Sequence, residues 1–144
     1  AMVVPVFEYP HDGSVCAVAV NTVAPLWSLR TKGAVSATPA LGRDLVYVGS
    51  SDRRLYAIRP QGGDIAWTFP VQAAILSTPC VQDGKVYLTA YDKHTYVLDA
   101  QSGEQIAKLR LKAPIYSSPL VAAGRIYCGS NDGTLYCMSD VQRD

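Results

Sequence analysis

The sequence predicts an all-β fold: an incomplete β-propeller of four-stranded antiparallel blades on a forty-residue repeat, about three and a half blades in all. Three observations predict it. The 144-residue chain aligns with itself without gaps when it is shifted by forty residues. Each unit holds four short runs rich in Val, Ile, Tyr and Trp, bounded by Gly, Pro or Asp. No stretch carries an apolar face at helical period over three turns.

The repeat shows in its columns. Pro39, Pro79 and Pro119 coincide, as do Tyr47, Tyr87 and Tyr127. So do Asp12, Asp52, Asp92 and Asp132, and Tyr56, Tyr96 and Tyr136. Gly63 meets Gly103, and Trp27 meets Trp67. The register divides the chain into a partial blade over 1–32, whole blades over 33–72 and 73–112, a partial blade over 113–140 and a tail over 141–144.

Residues 33–72 give the element order. Ala34 to Leu41 is predicted as the first strand and carries Pro39; a residue without an N–H belongs on an edge strand, here the one lining the central channel. Leu45 to Gly49 is the second strand, and Ser50-Ser51-Asp52 a turn. Leu55 to Ile58 is the third strand, Pro60 to Gly63 another turn, and Ile65 to Val71 the fourth strand. A single sheet of this kind has two apolar faces and cannot cover them alone. Stacking sheets around an axis buries both.

Charge and composition limit the function. Thirteen basic residues against twelve acidic ones leave a net charge of +1, without the basic excess that nucleic-acid or anionic-membrane binders carry. No apolar run is long enough to span a membrane. Ala1 and Met2 read as a scar or an internal start. Cys16, Cys80, Cys128 and Cys137 form no zinc-type pair and each lies in an apolar run. This use of cysteine leans toward a reducing, cytoplasmic compartment and leaves a periplasmic or extracellular one open. Across Asn131-Asp132-Gly133, a two-residue hairpin turn would set Cys128 opposite Cys137; a disulfide is then reachable, though two buried thiols fit better.

No catalytic constellation emerges. His11 and His94 belong to no catalytic signature, and nucleophile elbow, phosphate loop and zinc-protease helix are all missing. The repeated Asp reads as a turn residue that bonds its own backbone. Ser36-Ala37-Thr38, Leu76-Ser77-Thr78 and Tyr116-Ser117-Ser118 fall on the inner strand, either lining a pocket or satisfying backbone groups. The turns between second and third strands carry Arg53-Arg54 in one blade and Lys93-His94 in the next. On a common end these four residues form a small basic patch suited to an acidic peptide or a phosphate group, with solvated loop charge as the plainer reading.

The columns resemble the PQQ-like repeat family, which includes the quinoprotein alcohol dehydrogenases and the outer-membrane-assembly lipoprotein propellers. The matching pieces are Val46-Tyr47-Val48-Gly49-Ser50, Asp52, Leu55-Tyr56-Ala57-Ile58, and Gly63 followed by Trp67; then Tyr96 to Asp99 with Ser102-Gly103-Glu104; then Ile126 to Tyr136. The family's docking stripe is partial here: Val23 stands for its Gly in the first unit, Arg59 for its Asp in the second and Ala107 for its Trp in the third. The resemblance implies that Trp27 and Trp67 dock blades. Its quinone-dependent members use an adjacent Cys-Cys pair, absent here, so no cofactor is expected. The resulting expectation is a non-catalytic module, part of a longer chain or a self-associating fragment, that binds protein, peptide or another copy of itself. The alternatives are a fragment of a PQQ-dependent oxidoreductase and an accessory domain of an acyl-activating or other multidomain enzyme.

Overall fold

The computed structural model describes residues 12–139 and, by their backbone, residues 2–7. Among these residues every regular element is a strand, and all strand pairing is antiparallel. The first sheet is β1 (Met2–Phe7), β2 (Gly13–Val18) and β3 (Pro25–Thr31), in that order. The second is β4 (Ala40–Leu41), β5 (Val46–Ser50), β6 (Arg54–Ile58) and β7 (Ile65–Pro70). The third is β8 (Cys80–Gln82), β9 (Lys85–Thr89), β10 (His94–Asp99) and β11 (Gln105–Arg110). The fourth is β12 (Leu120–Ala122), β13 (Arg125–Gly129) and β14 (Leu135–Ser139). His11 and the 141–144 tail lie outside the described residues.

This is the predicted propeller architecture, and the core lies between the sheets. Val15 of the first sheet packs with Val46, Val48, Tyr56 and Ile58 of the second. Tyr47, Leu55 and Ala57, from the opposite face of the second, pack with Val86, Leu88, Tyr96 and Leu98 of the third. Tyr87 and Val97 then pack with Ile126 of the fourth. The middle strands are therefore buried on both faces, and their continuous apolar runs follow from that.

The innermost strand departs from the sequence expectation. It is two residues long in the second sheet, Ala40–Leu41, and does not start at Ala34. Residues 34–39 form a crossing segment, buried at Val35 and Ala37 and exposed at Ser36 and Thr38, that is tied outside any ladder through Ala34. The carbonyl of Ala34 accepts the N–H of Ser51, and the same bond recurs from Tyr91 to Ala74 and from Asn131 to Pro114. Val35 and Ala37 are buried, which supplies the apolar signal without a strand. Each proline of the column directly precedes its inner strand, so its missing N–H interrupts no ladder.

Small hydroxyls fasten these crossing segments. Ser77 Oγ donates to the Thr89 carbonyl (2.8 Å), Thr89 Oγ1 to the Ser117 carbonyl (2.7 Å), and Ser117 Oγ to the Gly129 carbonyl (2.8 Å). The Thr78 N–H bonds Ser118 Oγ at 3.0 Å. Ser77, Thr78, Ser117 and Ser118 precede the inner strands instead of lying on them, and with Thr89 of β9 these hydroxyls satisfy backbone groups of the crossing segments.

Candidate functional site

Two devices repeat from sheet to sheet and hold the working surface in place. The first is an indole set on a glycine. Trp27, on β3, lies against Gly63 in the β6–β7 turn of the next sheet, and its Nε1 donates to the Pro60 carbonyl at 2.7 Å. Trp67 repeats this forty residues later, against Gly103 and onto the Ala100 carbonyl at 3.3 Å. A Cβ on either glycine would stand 2.6–2.7 Å from indole carbons. Tyr47 donates to the same Ala100 carbonyl at 2.8 Å and meets the Trp67 ring at 5.7 Å.

The second device is the aspartate turn. Tyr56, Tyr96 and Tyr136 donate to Asp52, Asp92 and Asp132 at 2.6, 2.7 and 2.8 Å. Burial and the adjacent carboxylate push the Tyr56 and Tyr96 phenols well above their ordinary range. Asp52 also accepts the N–H of Lys32, and Asp92 that of Gln72. Lys32 and Gln72 belong to the segments leaving the preceding sheet. The carboxylate therefore clasps two sheets together, a role the turn-residue reading did not contain. It bonds its own turn as well at Asp92, through the His94 N–H, and at Asp132, through the Thr134 N–H. At Asp52 the second oxygen, Oδ1, is buried without a partner.

These turns bring the predicted basic residues to one end of successive sheets. Arg53, Arg54 and Lys93 are exposed there. His94 is not: its side chain is 19% exposed, its Nδ1 lies 2.9 Å from the Asp92 carbonyl, and its ring leans on Tyr96. His94, the first residue of β10, is thus half-buried and held against its own turn, unlike the three exposed cations.

The backbone at this end is unusual. Arg53 and Lys93 have φ of 69° and 72°, the left-handed conformation that Gly133 adopts in the fourth sheet at 80°. Each is the last residue of a three-residue hairpin loop, a place that suits glycine. Holding a long side chain there costs about 1–2 kcal/mol. Arg53→Gly and Lys93→Gly are accordingly expected to stabilise the fold by about 1 kcal/mol each, read by urea denaturation. Unchanged or lower stability would mean that the turns hold these side chains without strain.

Beside Lys93 stands a feature that the sequence reading missed. Tyr91, in the β9–β10 turn, and Tyr116, in the segment entering the fourth sheet, stack with centroids 4.8 Å apart. They are 39% and 46% exposed. The Tyr91 phenol is pushed up by its bond to Tyr116. The stack joins an exposed aromatic surface to the cationic turns.

The β13–β14 hairpin corrects the cysteine geometry. Its loop holds three residues between Ser130 and Thr134, not two, so Cys128 pairs with Tyr136 and Cys137 with Tyr127. Cys128 is buried, Cys137 is exposed, and they point to opposite faces; all four cysteines are free thiols. Burial pushes the Cys128 thiol up. At the other end of the sheets, two clefts of about 420 and 460 Å³ share Arg43, Asp44 and Gln101, and Gln101 bonds Asp44 across them at 3.1 Å. Among the described residues no three His, Cys, Asp or Glu side chains converge to hold a metal.

Residues 11–106 and 93–143 match the family described as outer membrane protein assembly factor BamB. The chain belongs to this family. Its fold is close to that of BamB from Moraxella catarrhalis, with a TM-score of 0.78 and 18% identity over 94% of this chain. The chain spans only 45% of that BamB. The computationally designed Ika4 protein matches with a TM-score of 0.80 and 16% identity, over 95% of this chain and 84% of its own. The quinohemoprotein alcohol dehydrogenase ADHIIG from Pseudomonas putida HK5 matches with a TM-score of 0.62 and 23% identity, over 67% of this chain and 17% of its own. At these identities the structural likeness is one of fold. No curated protein matches the chain in sequence. BamB-type repeats thus account for the sheets.

Proposed function

We propose that this BamB-family module is a non-catalytic binder of protein or peptide, working without a cofactor, and that its recognition surface is the end carrying Arg53, Arg54, Lys93, Tyr91 and Tyr116. The exposed Tyr91–Tyr116 stack beside the Lys93 turn carries the reading. Paired aromatic rings offer a broad, rigid contact at low entropic cost, and neighbouring cations favour an acidic partner. The name of the matched family, an assembly factor, agrees with a role in holding proteins together. Trp27 and Trp67 are engaged in joints between sheets, and no adjacent cysteine pair exists, which supports a cofactor-free module.

Panning a random peptide display library on the whole chain tests this. Acidic peptides that contain an apolar anchor are expected to be enriched, with affinity that falls as salt is raised. Tyr91→Ala with Tyr116→Ala is expected to weaken the selected peptides about tenfold or more, an effect suited to aromatic anchors. Charge reversal at Arg53, Arg54 and Lys93 should weaken them further. No enrichment, or enriched peptides indifferent to both sets of substitutions, would retire this surface.

A further inference from the structure

The second repeat unit departs from the repeat at two columns whose residues meet in space. One column holds Val3, Arg43, Asp83 and Ala123; the other holds Ala19, Arg59, Asp99 and Ser139. A cation stands at these columns in the second unit alone, and there it stands at both. Where the third unit has two aspartates, the second has two arginines.

The exchange at Arg59 removes a turn cap. Asp99 accepts the N–H groups of Gln101 and Ser102 at 2.9 and 2.8 Å, and the Ser102 hydroxyl at 3.1 Å. A carboxylate bonded in this way fixes its turn. Arg59 has no acceptor to offer, and its Nη1 donates to the Ile65 carbonyl at 3.4 Å. Holding the turn therefore does not explain an arginine at this column.

Both guanidinium groups line one cleft of about 420 Å³. The β4–β5 turn contributes Arg43 and Asp44, the β6–β7 turn Arg59 and Pro60, and the β10–β11 turn of the third sheet Gln101. Buried Leu45 adds an apolar wall. The joints between sheets hold the rims: Trp27 bonds the Pro60 carbonyl, and Trp67 and Tyr47 bond the carbonyl of Ala100, next to Gln101. The carboxylate of the lining, Asp44, is engaged by Gln101 at 3.1 Å. Among the described residues, neither arginine forms an ion pair with it. The result is a cleft with two unneutralised guanidinium groups on rigid turns. Its volume lies within the range of about 300–1,000 Å³ usual for small-molecule sites.

We propose that this cleft binds a small anion whose phosphate or carboxylate group is held by Arg43 and Arg59. The guanidinium fork matches both groups through paired hydrogen bonds. The cleft lies at the opposite end of the sheets from Tyr91 and Tyr116, so either proposal can fail without the other.

Amide NMR of the whole isotope-labelled chain tests it, with separate titrations of inorganic phosphate and succinate against sodium chloride at matched ionic strength. Saturable shifts are expected at Arg43, Asp44, Arg59 and Gln101 in at least one titration, with a Kd of about 1 mM or tighter, and not with chloride. Saturation by phosphate alone assigns the ligand to phosphorylated compounds, and by succinate alone to carboxylates. Arg59→Asp should weaken binding at least about tenfold while the β circular dichroism is retained, because it restores the residue that the third unit uses in this turn. Arg43→Gln, a neutral change at an exposed position, should weaken binding similarly. Saturation in neither titration, shifts confined to the Arg53–Lys93 end, or wild-type affinity in either variant would overturn the proposal.

Discussion

Gly103→Ala is expected to destabilise the fold by about 3 kcal/mol or more, whereas Gly133→Ala should lose only about 1 kcal/mol. Both glycines have positive φ, 76° and 80°, so both variants bear the same left-handed strain. They differ in what the added methyl meets. At Gly133 nothing lies within 4 Å; at Gly103 the new carbon would stand 2.6 Å from Trp67. The half-buried indole is held between the Tyr47 ring and the Gly103 turn, and overpacking of this kind adds about 1–3 kcal/mol. Trp67→Ala alone should lose about 3–5 kcal/mol through the cavity it leaves. The double variant Trp67→Ala/Gly103→Ala is then less damaging than the sum, because the clash disappears with the indole. Denaturant midpoints of the four proteins check this. Strict additivity would show that the indole is not seated on Gly103.

The second large effect is expected at the aspartate clasp. Asp92→Ala should lose about 3 kcal/mol, since charge-assisted hydrogen bonds and the buried donors left behind each contribute on the order of 1–3 kcal/mol. The Asp92 side chain is 4% exposed and accepts from Tyr96, from the Gln72 N–H and from the His94 N–H. Removing it leaves the part-buried Tyr96 and His94 donors without a partner and frees the exposed Gln72 N–H of the preceding segment to water. Asp132→Ala is the control: its turn is exposed, water can replace the carboxylate, and little change is expected. Tyr96→Phe, which removes one donor and keeps the ring, should fall between them. Equal effects at Asp92 and Asp132 would reduce the clasp to ordinary turn chemistry.

The columns made the architecture legible because the same contacts recur every forty residues. A residue that meets its neighbouring sheet, such as Tyr47 or Trp67, is written again in the next unit or varied in a compatible way. Three kinds of detail escaped this logic. Residues 34–39 are apolar because Val35 and Ala37 are buried, and apolarity alone does not separate a crossing segment from a strand. The Cys128 register depended on loop length, and a left-handed third residue at Gly133 shifted it by one place, which turns a side chain to the other face. The Tyr91–Tyr116 stack joins two different columns, each aromatic in one unit only, so no periodic signal marks it. The basic turns could be read from the sequence because they are local. The tethering of His94 could not, because it depends on the turn's own carbonyl lying within reach of the ring.

The joints also run in one direction along the chain. Trp27 is received by a later glycine, and Lys32 is gripped by a later aspartate; Trp67 and Gln72 follow the same rule. A sheet emerging from a ribosome is therefore finished only by the segment synthesised after it. Maturation lags translation by one unit, and until its successor arrives the newest sheet keeps an unsealed seam.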